Sequence, residues 1–114
     1  MPVSNASSEL GGDAFRFRVS DVVRVPLRGY MLRLRLNAGQ PRFEELKPGR
    51  RLRLRSPDGL EHVVTIKDHA IVGGRQTQER LDRTRELDII IPEADAFAEG
   101  RPIEIGWFAV GAER

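Results

Sequence analysis

The chain has 114 residues, of which 39% are hydrophobic and 32% charged, with a formal net charge of +2 and no cysteine. This length suits one domain that buries its own core, and the lack of cysteine excludes disulfides, thiolate metal sites and a cysteine nucleophile. No apolar run reaches the roughly 20 residues that span a bilayer, and the N-terminus lacks a signal-peptide pattern, so we expect a cytoplasmic protein without a membrane partner.

The N-terminal quarter of the chain changes from an unpatterned segment to strands. Residues 1–14 are small and polar without periodicity, which predicts a flexible tail. From Phe15 hydrophobic and polar residues alternate, as is typical of a half-buried strand. After a break at 20–21, the run 22–25 predicts a second short strand, and 28–29 a turn.

The clearest alternation comes next and predicts a strand with one apolar and one mostly cationic face. Its inner residues are Tyr30, Leu32, Leu34 and Leu36, and its outer residues are Met31, Arg33 and Arg35. A polar loop over 37–49 then leads to a β-hairpin with strands at 51–55 and 62–67 and a type I turn at 56–59. Val64 and Ile66 are its expected inner residues.

The C-terminal part completes the predicted fold. Residues 75–85 are mostly polar and predict a surface loop, with a helical turn as the alternative. The apolar run 88–91 predicts a strand buried on both faces, and alternation over 103–107 predicts a last strand that ends near Val110. We therefore expect an all-β domain over 15–110, a small antiparallel closed barrel of six to seven strands, and a short tail over 111–114.

Several motifs carry a resemblance to a known family. Asp21 to Tyr30, followed by Leu36-Asn37-Ala38-Gly39, resembles the opening of the second domain of translational GTPases such as elongation factor Tu, which shows Asp-Val-Phe and Gly-Arg-Gly-Thr at matching spacing. Leu46-Lys47-Pro48-Gly49 is similar to the family's Lys-Val-Gly stretch, and Leu81 to Ile91 and Glu99 to Ile103 resemble its later strands and closing glycine turn. The resemblance covers nearly the whole chain after the tail and implies a stand-alone barrel similar to domain 2 of translation factors.

The same resemblance also implies which ligands the protein contacts. It implies contact with the aminoacyl end of a tRNA or with the ribosome, and Arg28 and Arg35 stand at positions that match arginines of the family. The GTPase domain itself is absent, and the chain has no Gly-x-x-x-x-Gly-Lys-[Ser/Thr] phosphate loop, so we expect no nucleotide ligand.

The chain offers little for catalysis or metal binding. His62 and His69 are its two histidines, and they lie on opposite strand parities without a close third ligand of suitable spacing. Asp68 does not orient the His69 ring, because adjacent side chains on a strand face opposite ways. We expect two surface or rim histidines, no metal, no cofactor and no enzymatic activity.

The arginines are the best candidates for binding, and the charge is concentrated in the first half of the chain, with +6 over residues 1–60 and −4 over 61–114. A guanidinium group binds phosphate oxygens bidentately, so arginines on neighbouring strands predict a face for RNA or a ribonucleoprotein. The candidates for polyanion binding are Arg28, Arg33, Arg35, Arg51, Arg53 and Arg55, with Arg16 and Arg18 projecting from a third strand. Aromatic candidates for base stacking are scarce, namely Tyr30, Phe43 and Phe108.

A second hypothesis is a protein interaction or assembly module. The loops 40–47 and 75–85 are long for a small barrel, and long loops on a rigid scaffold often carry binding. The candidate contact residues in these loops are Arg42, Phe43, Glu44, Arg80 and Arg83.

Overall fold

The computed structural model describes residues 15–71 and 74–111, and these form mostly antiparallel β structure. The strands and the α-helix are β1 Phe15–Val25, β2 Gly29–Gly39, β3 Arg51–Arg55, β4 Glu61–Thr65, β5 Asp68–His69, α1 Gln78–Thr84, β6 Glu86–Ile91, β7 Phe97–Ala98, β8 Arg101–Pro102 and β9 Phe108–Gly111. Two short 3-10 helices cover Phe43–Leu46 and Glu93–Ala96. The predicted N-terminal tail lies outside the described residues, as do residues 112–114, whereas Gly111 is the last residue of β9.

Seven of the strands form one sheet in the order β4-β3-β9-β1-β2-β6-β5, and β7 and β8 form a separate small hairpin. Every strand pair is antiparallel, which confirms the predicted antiparallel β class. The edge strands β4 and β5 do not pair with each other, so no closed barrel is found over residues 15–71 and 74–111. None of the helices in these two ranges has the length and hydropathy to cross a bilayer.

The prediction of two strands separated by a break at 20–21 is wrong, because β1 is continuous through it. Its pairing with β2 shifts between Val19 and Asp21, which leaves Ser20 as an extra residue in β1. The Ser20 hydroxyl donates to the carbonyl oxygen of Arg33 at 3.2 Å. Such a bulge reverses side-chain parity, so Val19 and Val22 both face the main core across an odd spacing.

The β1–β2 turn depends on one glycine. Gly29 has φ +121°, and a Cβ there would lie 2.0 Å from the carbonyl oxygen of Ile91 on β6. The predicted turn at 28–29 is confirmed, with Arg28 N donating to Val25 O at 3.0 Å. Glycine is required here because the backbones of β2 and of the chain after β6 come into contact.

The main core lies on the inner face of the sheet. The predicted inner residues Leu32, Leu34, Val64 and Ile66 are all fully buried in it. The run 88–91 is buried on both faces as predicted, with Ile89 and Ile91 in the main core. Ile90 faces the other side, where it forms a second cluster with Met31 and Ala70.

The faces of Met31 and Tyr30 on β2 agree with the prediction, but their burial differs from that of a simple two-faced strand. Met31 lies on the outer face and is nevertheless only 6% exposed, because Ile90 and Ala70 cover it there. Tyr30 packs against the main core but is only partly buried. The alternation was therefore correct for the leucines but did not reveal the second cluster.

The segment predicted as a surface loop over 75–85 contains the helix α1. Thr77 caps its start, with Oγ1 accepting from the backbone N–H of Arg80 at 3.1 Å. Leu81 packs into the main core at 1% exposure. Arg85 ends the helix in the left-handed conformation, φ +64°, and donates its N–H to Leu81 O at 2.7 Å. The Thr77 cap and the buried Leu81 thus stabilise a seven-residue helix, which the polar composition of this segment did not indicate.

Two further segments differ from prediction. The polar loop 37–49 is shorter than expected, since β2 continues to Gly39 and a 3-10 helix buries Leu46. The predicted strand over 103–107 is wrong, because the chain turns at Gly106, which donates to Val19 O at 2.8 Å. Ile105 is consequently 57% exposed, and β9 begins only at Phe108.

Candidate nucleic-acid interface

The outer face of the sheet carries arginines in register on both sides of β9. This short strand lies between β3 and β1, and Ala109 is its residue that points into the core. Phe108 and Val110 therefore point outward, and both are half-buried.

Strand register aligns these outward residues in two rows across the sheet. The first row, read from β4 to β6, is Glu61, Arg55, Phe108, Arg18, Arg35 and Glu86. The second row, read from β4 to β2, is Val63, Arg53, Val110, Arg16 and Ala38. We call the set Arg16, Arg18, Arg35, Arg53, Arg55, Phe108 and Val110 the arginine platform.

Two ion pairs lie at the ends of the first row of the platform. Arg35 pairs with Glu86 at 3.2 Å and Arg55 with Glu61 at 2.5 Å, and all four side chains are between 35% and 61% exposed. Exposed pairs of this kind contribute about 0–1 kcal/mol each, so a phosphate group can replace either carboxylate at little cost. Arg18 has no ion pair or side-chain hydrogen bond within the described part of the chain.

Arg16 is held in a defined position above an aromatic ring. Its guanidinium carbon lies 5.2 Å from the centroid of Phe108, and its Nε donates to Asn37 Oδ1 at 2.9 Å. Asn37 is the extra residue of β2 at the register shift between Arg16 and Phe17. The bulge therefore brings a polar acceptor beside Arg16 without adding an acid.

Arg33 is separated from the platform by its role in the fold. Its Nε and Nη2 donate to the two carboxylate oxygens of Asp88 at 2.9 and 3.1 Å, and Asp88 is buried. The hydrogen bond and charge of Asp88 raise the pKa of Arg33. Asp21 lies opposite Arg33 on β1, so this row has two acids for one arginine.

The predicted polyanion site is thus divided by the structure. Arg35, Arg53 and Arg55 lie together on the platform, and Arg51 precedes Arg53 by two residues on β3, opposite Thr65. Arg51 and Arg53 have further contacts of their own. Arg28 lies in the turn at the far end of β2, where it pairs with Asp68 at 2.9 Å.

The sequence did not predict that Phe108 and Val110 lie in the middle of the platform. Phe108 was a candidate for stacking, but Val110 was not considered, and neither was placed between arginines. The expected last strand ended near residue 110, and alternation carries no information about which strands are neighbours. Strand order is what brings β9 between β1 and β3.

The two loops of the alternative hypothesis lie against each other. Phe43 N donates to Gln78 Oε1 at 2.6 Å, and Gln78 Nε2 reaches the carbonyl oxygen of Pro41 at 3.4 Å. A cavity of about 360 Å³ opens between them, lined by Leu36, Gln40, Pro41, Arg42, Gln78, Asp82 and Arg85.

The predicted contact residues of these loops have mixed roles. Arg42 pairs with Glu44 at 3.6 Å, and both are exposed. The ring of Phe43 lies 4.9 Å from that of His69. On α1, Arg80 Nη1 donates to Gly74 O at 2.9 Å, while Arg83 is exposed on the solvent side.

Both histidines are used within the fold. His62 Nε2 lies 2.8 Å from Asp95 O, and His69 Nε2 lies 2.8 Å from Leu46 O. Because a carbonyl oxygen only accepts, Nε2 carries the proton in each ring. Within residues 15–71 and 74–111, no cluster of three or more His, Asp or Glu is suited to hold a metal ion.

Comparison of the chain with protein-family models, curated proteins and solved structures finds no match. The similarity to the second domain of translational GTPases therefore stays a prediction from sequence motifs. What the site is able to bind has to be argued from its geometry.

Proposed function

We propose that this protein is a non-catalytic binding module that contacts RNA or a ribonucleoprotein through the arginine platform. One observation carries the proposal: strand register places arginines on both sides of β9, in two rows on one face of the sheet. An array of guanidinium groups spread over several strands matches a polyanion better than a single small anion.

The arrangement of charge supports this reading. Arg18 lies directly opposite Arg35, and like charges opposite each other destabilise a sheet. A phosphate bound between them would relieve this repulsion. The two acids of the first row, Glu61 and Glu86, stand at its ends, so that Arg55, Phe108, Arg18 and Arg35 lie between them.

The proposed function agrees with the family resemblance, and we extend the proposal to the fold. The sheet edges β4 and β5 are consecutive in the chain, joined by Ile66 and Lys67. Ile66 N donates to Arg50 O beside β3, and Lys67 N donates to Ile90 O on β6, so the chain crosses between the two sheet ends at this point. We propose that this connection makes the sheet a barrel of the translation-factor type.

Titration of fluorescently labelled tRNA at low and moderate salt tests the function. If about four arginines contact phosphates, the affinity falls roughly 50- to 150-fold between 50 and 200 mM salt. The double variant Arg18→Gln/Arg55→Gln should weaken binding and flatten this salt dependence. Arg83→Gln is the matched control, since Arg83 is exposed on α1 and does not belong to the strands that form the platform.

Three results decide the matter. Loss of affinity in the platform variant with no change in the control supports the proposal. Equal effects of both variants would indicate unspecific attraction to a basic protein and contradict it. No binding at 50 mM salt would reject RNA as the ligand.

A second candidate function is a protein interaction module, favoured by the hydrogen bonds of Gln78 that join the two long loops. Here a partner would contact the cavity between Pro41 and Arg85. A partner identified with the wild-type protein should then lose affinity for Gln78→Ala and keep it for Arg18→Gln. The reverse pattern would reject the loops as the contact surface.

A further inference from the structure

An apolar strip one strand wide runs through the centre of the arginine platform. Phe108 and Val110 form it, and both residues are half-buried. The strands on either side carry arginines at the opposite positions, Arg16 and Arg18 on β1 and Arg53 and Arg55 on β3. A ligand that lies across β3, β9 and β1 therefore contacts the arginines of β3, the apolar side chains of β9 and the arginines of β1, in that order.

The dimensions of the strip suit one nucleic-acid strand. Neighbouring strands lie about 4.8 Å apart, so the backbones that carry the two sets of arginines are about 10 Å apart. Successive outward residues along β9 are about 7 Å apart, so each row of side chains has room for about one base.

A duplex would use this surface poorly. Double-stranded RNA presents phosphates and ribose on its outside and keeps the faces of its bases stacked within the helix. It could engage the arginines but would leave Phe108 and Val110 without an apolar partner. A single strand exposes base faces, which stack on aromatic rings and on arginine planes.

The stacking surface is already assembled. Arg16 lies over the Phe108 ring at 5.2 Å, and the hydrogen bond from its Nε to Asn37 Oδ1 holds it there. A base can therefore stack on the face of the guanidinium plane that points away from Phe108, or it can contact the edge of the Phe108 ring. Every base has a face that can stack, so a strand held by stacking and by phosphate contacts is bound with little regard to its sequence.

We infer that the arginine platform binds single-stranded RNA laid along β9, with bases against Phe108, Val110 and Arg16 and phosphates against the flanking arginines, and with little sequence preference. The inference rests on the proposed RNA-binding function and specifies its substrate. It assigns a stacking role to Phe108 that simple phosphate binding would not require.

The test compares a labelled single strand of about ten nucleotides with a duplex of the same length by fluorescence anisotropy. We expect wild-type protein to bind the single strand at least tenfold more tightly. Phe108→Ala should reduce single-strand affinity about tenfold and leave duplex affinity unchanged, since one base–aromatic stack is lost.

Two variants make the result decisive. Phe97→Ala is the matched control, because Phe97 is a 42% exposed phenylalanine on β7, outside the platform. Phe108→Leu keeps the apolar contact with the sheet but removes the ring, and it replaces Phe108→Ala if that variant does not fold. The fluorescence of Trp107, the sole tryptophan and a core residue, reports folding in each case.

The possible outcomes separate this inference from the proposed function. Selective loss of single-strand affinity in the Phe108 variants supports the inference. Equal affinity for single strand and duplex, unchanged by Phe108→Leu, overturns it while RNA binding itself stands. Failure of both RNAs to bind overturns the proposed function and this inference together.

Discussion

Arg18 on β1 lies directly opposite Arg35 on β2, and both side chains project from the outer face of the sheet. Glu86 pairs with Arg35, whereas Arg18 has no such partner in the described ranges. Repulsion between the two guanidinium groups opposes folding, whereas the proposed function requires the same charges to attract an anion. If the proposed function holds, the stability of the fold and the binding of RNA therefore oppose each other at this position.

Replacing Arg18 by glutamine should change the two properties in opposite directions. We expect Arg18→Gln to raise the free energy of unfolding by about 0.5 kcal/mol, because opposed like charges on a sheet are relieved, and to weaken RNA binding. Urea denaturation followed by Trp107 fluorescence measures the first and an RNA titration the second. A destabilised variant would show that Arg18 makes a stabilising contact that outweighs its repulsion from Arg35.

The acids at the ends of the first row should act as competitors of RNA. Glu61 occupies Arg55 and Glu86 occupies Arg35, so a phosphate has to displace a carboxylate at each end. We expect Glu61→Gln/Glu86→Gln to raise RNA affinity several-fold, since each pair is worth about 0–1 kcal/mol. Each single variant, Glu61→Gln and Glu86→Gln, is compared with Glu79→Gln, which removes one negative charge from the exposed surface of α1. An equal gain from this control would mean that net charge alone explains the effect.

The predictions from sequence succeeded where a local pattern determines the outcome. Alternation correctly placed Leu32 and Leu34 in the core, and the predicted hairpin is present with its turn at 56–59, where Gly59 N donates to Ser56 O. Side-chain parity in a strand depends only on neighbours in the chain, so it is readable from the sequence.

The parts that failed depend on contacts between distant residues or on a single inserted residue. Ser20 extends β1 through an expected break, because its hydroxyl and the register shift absorb one extra residue. Met31 is covered by Ile90 of β6 and by Ala70, and no local pattern in the sequence reveals these contacts. The arrangement of the candidate site was predicted least well. It depends on the position of β9 between β1 and β3, and the sequence pattern does not give the order of strands in a sheet.

Arg33 should matter for stability in a way that the platform arginines do not. Removing it leaves the carboxylate of Asp88, whose side chain is 3% exposed, without its bidentate partner. We expect Arg33→Gln to lower the free energy of unfolding by about 3 kcal/mol, because it leaves an uncompensated buried charge. Arg35→Gln, at the exposed pair two residues away, should change it by less than about 1 kcal/mol. Similar losses in the two variants would contradict a structural role specific to Arg33.

Leu27 is a position where a smaller residue should improve the fold. It is fully exposed and has φ +68°, a conformation that is unfavourable for residues other than glycine by roughly 1–2 kcal/mol. We expect Leu27→Gly to stabilise the protein by about 0.5–1 kcal/mol, the gain being reduced by the greater freedom of glycine in the unfolded chain. Leu27→Ala keeps the strain and should be nearly neutral. Thermal unfolding compares the three proteins, and destabilisation by glycine would show that the leucine side chain contributes to the turn.

Asp58 should make the stability of the hairpin dependent on acid pH. The Ser56 hydroxyl donates to its carboxylate, Arg101 pairs with it at 3.0 Å, and these partners lower the pKa of Asp58. A carboxyl group with a lowered pKa in the folded state stabilises the protein above its ordinary pKa of about 4, and this contribution is lost as the pH falls through the lowered value.

We therefore expect Asp58→Asn to be less stable than the wild type at neutral pH and the difference to shrink below about pH 4, as the carboxylate becomes protonated in the wild type. Urea denaturation at a series of pH values measures this difference. Glu104→Gln provides the comparison, as the side chain of Glu104 has no ion pair within the described residues. If the difference between Asp58→Asn and the wild type stayed constant down to pH 3, the stabilisation would come from the shape of the turn and not from the charge of Asp58.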